Sequence, residues 1–396
     1  MKTVMIVAGE SSGEWYGSLL AGELKRFWPG IRVLGIGGSR MREAGVEILA
    51  GISSAFGIAE LLPSLRKIRE SFRLAVKAIT ETRPEVVVLI DFPDFNFRLG
   101  RVAKRYGLKV LYYVSPQVWA WRKGRIRVMG EIADRVAVLL PFEEEMYRKA
   151  GIPSEFVGHP AMEEIEEARK AGDLPDSDKP VMRRKLGLAA GQPVVALLPG
   201  SRPHELRTLM PVFLDLVKQI KAELPESGFV MPIAPNIDVE KFRRYIDALT
   251  LEGVLIVKGN SIECLACSDL AVIASGTATL QATLLGVPFV VVYKVSPVTY
   301  LIGRVFVSVR HISLVNIISD SGVVRELIQR HANAQDIMQE LRRILFDEQY
   351  RLGMTSSFEK VRRIFAGKRP SRRVAEMIGE MAGWELQKVG GPSGRD

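Results

Sequence analysis

Cysteine and histidine are scarce in this chain, with two cysteines and four histidines among 396 residues. Cys264 and Cys267 form a single C-x-x-C, and no second pair completes a zinc site. They lie in SIECLACSD, a short apolar helix leading into a buried strand, and read as structural thiols in a reducing compartment. Long apolar runs are missing as well. No segment approaches the roughly 20 uninterrupted apolar residues of a membrane span. The opening MKTVMIVAGESSGE enters a strand–turn–helix pattern too soon for a signal peptide, so a cytoplasmic location is expected. Zinc-finger spacing and RRM-type aromatics are absent, and a nucleic-acid partner is not expected. A Walker lysine motif and a complete dinucleotide fingerprint are absent too, so the ligand need be neither ATP nor NAD.

What is present fits two domains. The 396 residues exceed a typical single core, and 47% hydrophobic with 25% charged residues is a globular composition. The net charge of +10 suggests an anionic partner, either a phosphorylated substrate or a membrane face.

The first half alternates apolar strands with helices. Strands are expected at Thr3–Ala8, Arg32–Ile36, 85–90, 109–114, 135–139 and 155–157. Near-continuous apolar runs of this kind make a parallel sheet covered on both faces, a Rossmann-like doubly wound domain. Ligands in such sheets bind beyond the carboxyl ends of the strands. GESSG (9–13) matches the G-x-S-x-G nucleophile elbow, but Ser11 would then sit on the first strand with most of a hydrolase sheet missing upstream. IDFPDFN (90–96) is more telling. It holds Asp91 at a strand end, with Asp94 and Asn96 in the same loop, and a carboxylate there can act as a general base or simply form the turn. In VSPQVWAWRKGR (114–125), Trp119, Trp121 and Arg122 form either a binding surface or a hydrophobic lid. The helix expected at 65–79 has one apolar stripe edged with basic residues, which suits either the sheet or an anionic membrane.

Residues 171–180 (AGDLPDSDKP) break the periodicity and mark the expected boundary between domains at 1–172 and 181–365. Strands resume at Val194–Leu198, Gly228–Ile233, 254–257, Leu270–Ala274 and Phe289–Tyr293. Two turns of small residues follow strands of this second sheet. One is Gly200-Ser201-Arg202, with Glu205 in the first turn of the next helix; the other is Ser275-Gly276-Thr277, with Gln281 one turn farther on. Two helix N-termini and an arginine suit a diphosphate. Two Rossmann-like domains facing a cleft, with a diphosphate site in the second, make the GT-B architecture of nucleotide-sugar glycosyltransferases.

The segments VAGESSGE (7–14), IDFPDFN (90–96), YVSPQVWAWR (113–122), LLPFEEEMY (139–147), FVGHP (156–160), LLPGSRPHE (197–205), IASGTATLQ (273–281) and SLVNII (313–318) resemble, in order, the lipid A disaccharide synthases of Gram-negative bacteria. The resemblance implies inverting transfer of 2,3-diacylglucosamine from its UDP derivative to 2,3-diacylglucosamine 1-phosphate, giving a lipid A disaccharide phosphate and UDP. It implies Asp91 as base, with Glu10 and Asp94 as other acidic candidates. Gly200, Ser201, Arg202, Glu205, Ser275, Gly276, Thr277, Gln281 and Asn316 fall on the donor side, and Ser11, Trp119, Trp121 and Arg122 on the acceptor side or lid. No cofactor or metal is required, because helix dipoles and Arg202 can steady the departing diphosphate. The implied partners are acylated glucosamine substrates, the inner face of the inner membrane, and a homodimer exchanging C-terminal elements. The helix near 373–386, within segment 366–389, either packs back or crosses over, and 390–396 is a loose tail. The family pattern has Glu where this chain has Gln281, so weaker UDP binding than in Gln281→Glu is expected. The other readings are another UDP-sugar enzyme of the same fold (2-epimerase-like or a lipid-linked transferase) and a non-catalytic nucleotide-sugar binder.

Overall fold

The near-continuous apolar run TVMIVA forms β1 (Thr3–Ala8), and all of it is buried. Burial on both faces is what a central parallel strand requires. β1 belongs to a seven-stranded parallel sheet ordered β3-β2-β1-β4-β5-β6-β7. The other strands are β2 (Arg32–Ile36), β3 (Glu47–Ala50), β4 (Val86–Ile90), β5 (Lys109–Tyr113), β6 (Arg135–Val138) and β7 (Ser154–Phe156). A second, six-stranded sheet is ordered β10-β9-β8-β11-β12-β13. It contains β8 (Val194–Leu198), β9 (Gly228–Ile233), β10 (Val254–Lys258), β11 (Leu270–Ala274), β12 (Phe289–Tyr293) and β13 (Glu326–Ile328). The computed structural model describes residues 1–51, 61–119, 124–172, 174, 179–189, 191–296, 300 and 310–385. The edge strands β3 and β13 are not legible in the sequence, because neither has the fully buried apolar run of a central strand.

Alternate residues of the first sheet serve two cores. Val4, Ile6, Val86, Val88 and Leu111 face one side, and Met5, Val7, Val87, Leu89 and Tyr112 the other. The helix Ser11–Phe27 covers the first face together with the far C-terminal helix Pro370–Ala382, whose Val374, Met377 and Ile378 are wholly buried. Fully burying three such side chains is worth on the order of 5 kcal/mol. Trp28 and Trp384 lock that helix, with ring centroids 5.1 Å apart and the Trp28 indole N–H donating to the Glu385 carbonyl at 3.0 Å. The second face is covered by helices Leu61–Thr82 and Pro93–Arg105. Ala75 and Ile79 are buried there, with Ile68, Phe72 and Val76 packed alongside. The apolar stripe expected at 65–79 is therefore turned to its own sheet, the simpler of its two readings.

The chain divides into two compact units: residues 1–160 with the segment from Lys368 onward, and Ala161–Gly367. The division falls before the segment 171–180 proposed as the linker. Helix Ala161–Lys170 packs on helix Thr277–Leu285 inside the second unit. Helix Lys179–Lys185 is tied there as well, since the Lys179 ammonium donates to the Ser268 carbonyl (2.7 Å) and the Arg183 guanidinium to Asp269 (2.6 Å). Proline and aspartate mark a break in periodicity, but not which core a neighbouring helix joins.

Candidate functional site

In each sheet two strands leave their neighbours in opposite directions, and the residues just after them emerge side by side. This is the switch point at which doubly wound sheets take their ligands. In the second sheet it lies between β8 and β11, where Leu198 pairs with Ile273. The loops that follow are Gly200-Ser201-Arg202 and Ser275-Gly276-Thr277, the two turns singled out from sequence.

The two turns differ in kind. Gly276 begins the helix Thr277–Leu285 with no side-chain cap. Among the described residues no heavy atom lies within 4 Å of where a Cβ on Gly276 would stand. Open space at an uncapped helix N-terminus suits an anion. The Ser275 hydroxyl donates to the Ile312 carbonyl at 2.8 Å. At the other turn Gly200 adopts a φ of 99°, the left-handed region that favours glycine, and a Cβ would come 2.1 Å from Glu205 Oε2. That carboxylate oxygen accepts the backbone N–H groups of Ser201 (2.9 Å) and Arg202 (3.1 Å). Glu205 therefore braces its own loop rather than presenting itself to a ligand, and it occupies backbone donors the phosphate reading had assigned to this turn. The Arg202 guanidinium, 3.5 Å from Glu205 Oε1, is half exposed.

Asn316 and Gln281 also differ from the sequence expectation. Asn316 is buried; its amide nitrogen donates to the Val324 carbonyl and to Glu326, both at 2.9 Å, and its Oδ1 accepts from Val324 N–H at 2.9 Å. Here the amide is committed to backbone and to Glu326. Its partner Glu326 is a residue the sequence reading missed. Glu326 Oε1 also accepts Ser313 N–H (2.9 Å) and the Ser313 hydroxyl (2.7 Å), while both its oxygens receive Ile312 N–H at 3.1 Å. The carboxylate thus holds the segment on which Ser275 rests. Nothing in the local pattern of REL announces this. Gln281 is 6% exposed, donating from Nε2 to Glu164 Oε2 at 2.6 Å and accepting the Ser261 hydroxyl at 3.4 Å. The expectation that Gln281→Glu would tighten binding leaves Glu164 out, because a second carboxylate at 281 would meet the first.

In the first sheet the switch point lies between β1 and β4, where Ala8 pairs with Ile90. Glu10 and Asp91 follow those strands, so the fold brings both to the carboxyl end of the sheet. Asp91 and Phe92 both have left-handed backbones, with φ of 47° and 45°. Two such non-glycine residues in succession cost on the order of 1–3 kcal/mol each. Clamps on the Asp91 carbonyl hold them, because Asn96 Nδ2 and the Tyr112 hydroxyl each donate to it at 2.7 Å. Asp94 departs from expectation: it opens helix Pro93–Arg105 with a largely exposed side chain paired to Arg125. Asp94 is thus engaged in an ion pair, with its partner Arg125 largely buried.

The Trp119 indole N–H donates to Glu143 Oε1 at 3.0 Å, and the Ser115 hydroxyl to the same oxygen at 3.2 Å. Glu143 Oε2 accepts Leu140 N–H at 3.1 Å, closing the first turn of helix Pro141–Lys149. Burial pushes this carboxyl up to about 7 against the pull of those hydrogen bonds. Burial also pushes His159 down to about 3, which keeps it neutral. Trp121 and Arg122 lie outside the described residues, as does the Ser11 side chain. Cys264 and Cys267 are buried free thiols whose pKa burial raises. Among the described residues no group of three His, Cys, Asp or Glu is placed to hold a metal, and no helix is long and apolar enough to cross a membrane.

Solved structures share this architecture. The Staphylococcus aureus MnaA–UDP structure superposes with a TM-score of 0.66 over 99% of this chain and all of that one, at 12% identity. The Neisseria meningitidis UDP-GlcNAc 2-epimerase bound to UDP-GlcNAc gives 0.62 at 12% identity over 96% of this chain and 99% of its own. The calicheamicin glycosyltransferase CalG4 gives 0.62 at 16% identity over 97% and 98%. At these identities the likeness concerns the fold, which is GT-B. Sequence relatives are nearer. The lipid-A-disaccharide synthase of Syntrophus aciditrophicus is 42% identical over 87% of this chain and 88% of its own. That of Geobacter sulfurreducens is 40% identical over 97% and 98%, and that of Anaeromyxobacter dehalogenans strain 2CP-C 39% over 95% and 96%. A family model described as lipid-A-disaccharide synthetase matches residues 4–375. The chain belongs to the lipid-A-disaccharide synthase family and is a glycosyltransferase of lipid A biosynthesis.

Proposed function

We propose that the chain transfers 2,3-diacylglucosamine from its UDP derivative to 2,3-diacylglucosamine 1-phosphate with inversion at the anomeric carbon. The acceptor's 6-hydroxyl oxygen bonds to C1 of the donor sugar and gives its proton to Asp91. On the opposite face the bond from C1 to the diphosphate oxygen breaks, and UDP leaves with the electron pair. The diphosphate rests against the N-terminus of helix Thr277–Leu285, where the dipole and N–H groups meet developing charge, with Arg202 as the nearby cation. No metal is needed in this scheme, so activity persists in EDTA.

The single observation that carries this reading is Asp91, a carboxylate on a strained left-handed backbone at the first sheet's switch point, with its carbonyl clamped by Asn96 and Tyr112. Strain of that kind persists where its surroundings over-determine it, and it concentrates at working sites. The acyl chains of both substrates place the enzyme at a lipid surface, which we take to be the cytoplasmic face of the inner membrane. The test incubates radiolabelled UDP-2,3-diacylglucosamine with acceptor in detergent micelles. Disaccharide phosphate from the parent chain and none from Asp91→Asn, with UDP binding retained, supports the scheme. Full turnover by Asp91→Asn removes Asp91 as base, and absence of disaccharide from the parent chain removes the reaction.

A further inference from the structure

The structure assigns to Glu164 a role that no motif marked: we infer that its carboxylate, held by Gln281 and facing the diphosphate turn's helix, accepts the ribose hydroxyls of the bound nucleotide. The inference rests on the reading that UDP lies at Ser275–Thr277. Three elements converge on the carboxylate's neighbourhood. Helix Thr277–Leu285 contributes Gln281, which shares a helix face with Thr277 and lies about 6 Å along the axis from it. Helix Ala161–Lys170 contributes Glu164, and the short helix Ser261–Ala266 after β10 contributes Ser261, whose hydroxyl donates to the Gln281 amide oxygen at 3.4 Å. Glu164 is half-buried, and Gln281 fixes its Oε2 at 2.6 Å.

The chemistry follows from donors and acceptors. A vicinal diol offers two O–H donors, and a carboxylate with about four acceptor sites can take both while keeping the Gln281 bond. Carboxylates hold nucleoside riboses in other doubly wound sheets for the same reason. Gln281 is the weaker acceptor of the two, because it is neutral, its Oε1 already receives Ser261 and its Nε2 donates to Glu164. Its amide instead orients the neighbouring carboxylate. The negative charge is supplied from helix Ala161–Lys170, and a neutral amide at 281 is what allows that charge to sit 2.6 Å away.

The experiment titrates UDP and 2′,3′-dideoxy-UDP into the full chain by calorimetry, for the parent, Glu164→Gln, Gln281→Glu, and the exchange Glu164→Gln/Gln281→Glu. The parent should prefer UDP by about tenfold or more, the scale of a hydrogen bond to a charged group. Glu164→Gln should lose most of that preference while binding dideoxy-UDP within about twofold of the parent. Gln281→Glu alone, with two carboxylates in contact, should bind UDP more weakly than the parent. The exchange retains one carboxylate and one amide and should recover most of the preference, which also shows that the site folds. Unchanged preference in Glu164→Gln overturns the inference and leaves the UDP reading standing. Failure of the parent to bind UDP removes the UDP reading and this inference with it.

Discussion

Gly9 and Phe92 interlock across the ends of β1 and β4: a Cβ on Gly9 would lie 2.2 Å from the Phe92 ring. The contact ties the loop bearing Glu10 to the loop bearing Asp91, because Phe92 follows Asp91 and shares its left-handed backbone. The glycines of GESSG thus have packing reasons. Gly13 also faces Ile90, with Cγ2 3.3 Å from where its Cβ would stand.

Gly9→Ala should push the Phe92 ring aside and take Asp91 with it. Displacing a base by about 1 Å costs on the order of 100-fold in turnover, while overpacking costs about 1–3 kcal/mol of stability. We expect kcat to fall by that order with the UDP dissociation constant unchanged. Equal losses in UDP binding and turnover would contradict the local account.

Glu205→Ala should free the Ser201 and Arg202 N–H groups and unlock their loop. Loss of a charged acceptor serving two part-buried donors costs about 2–3 kcal/mol, read from the urea midpoint. The donor KM should rise several-fold. A rise in affinity for UDP would instead mean that Glu205 competes with the phosphates for those donors.

Glu326→Gln keeps the shape of the hub but cannot accept every bond the carboxylate accepts from Ile312, Ser313 and Asn316. The segment supporting Ser275 should loosen, raising the donor KM by about tenfold with a smaller change in kcat. Steady-state kinetics with the donor varied tests this, and Glu326→Ala should be worse than Glu326→Gln. An unchanged donor KM in both variants would separate this network from the site.

Two buried groups give opposite pH slopes. Glu143 is raised from an ordinary 4.5 to about 7, so between those values the folded chain binds the extra proton and stability falls as pH rises. His159 is lowered from 6.5 to about 3, so between those values the unfolded chain binds the proton and stability rises with pH. Their effects oppose each other between pH 4.5 and 6.5. From pH 6.5 to 7 the Glu143 slope acts alone. Urea midpoints from pH 5 to 8 should therefore rise more steeply with pH in Glu143→Gln than in the parent, with an accumulated difference on the order of 3 kcal/mol. Identical pH profiles would show that Glu143 is not shifted.

Deleting the chain after Gly367 should expose the sheet face that Val374, Met377 and Ile378 cover. The first unit should lose on the order of 5 kcal/mol, since those side chains are fully buried. Loss of the cooperative urea transition for that unit would bear this out, and an unchanged transition would contradict it.

The sequence by itself determined the two parallel sheets, because strands buried on both faces must be written as unbroken apolar runs such as TVMIVA and LAVIA. It also singled out turns of small residues, which let a chain leave a strand and open a helix within a few positions at little strain, as at Ser275-Gly276-Thr277. Tertiary structure decided what the polar side chains near those turns do. Glu205 turned back onto its own loop, Asn316 turned inward to Glu326, and Gln281 met Glu164 from a helix 117 positions away. A hydrogen bond's partner is set by which segments the fold packs together, and sequence separation carries no trace of that. The C-terminal helix is the same case in apolar form. Its periodicity announces a buried face, but only the folded chain shows that the face belongs to the first sheet.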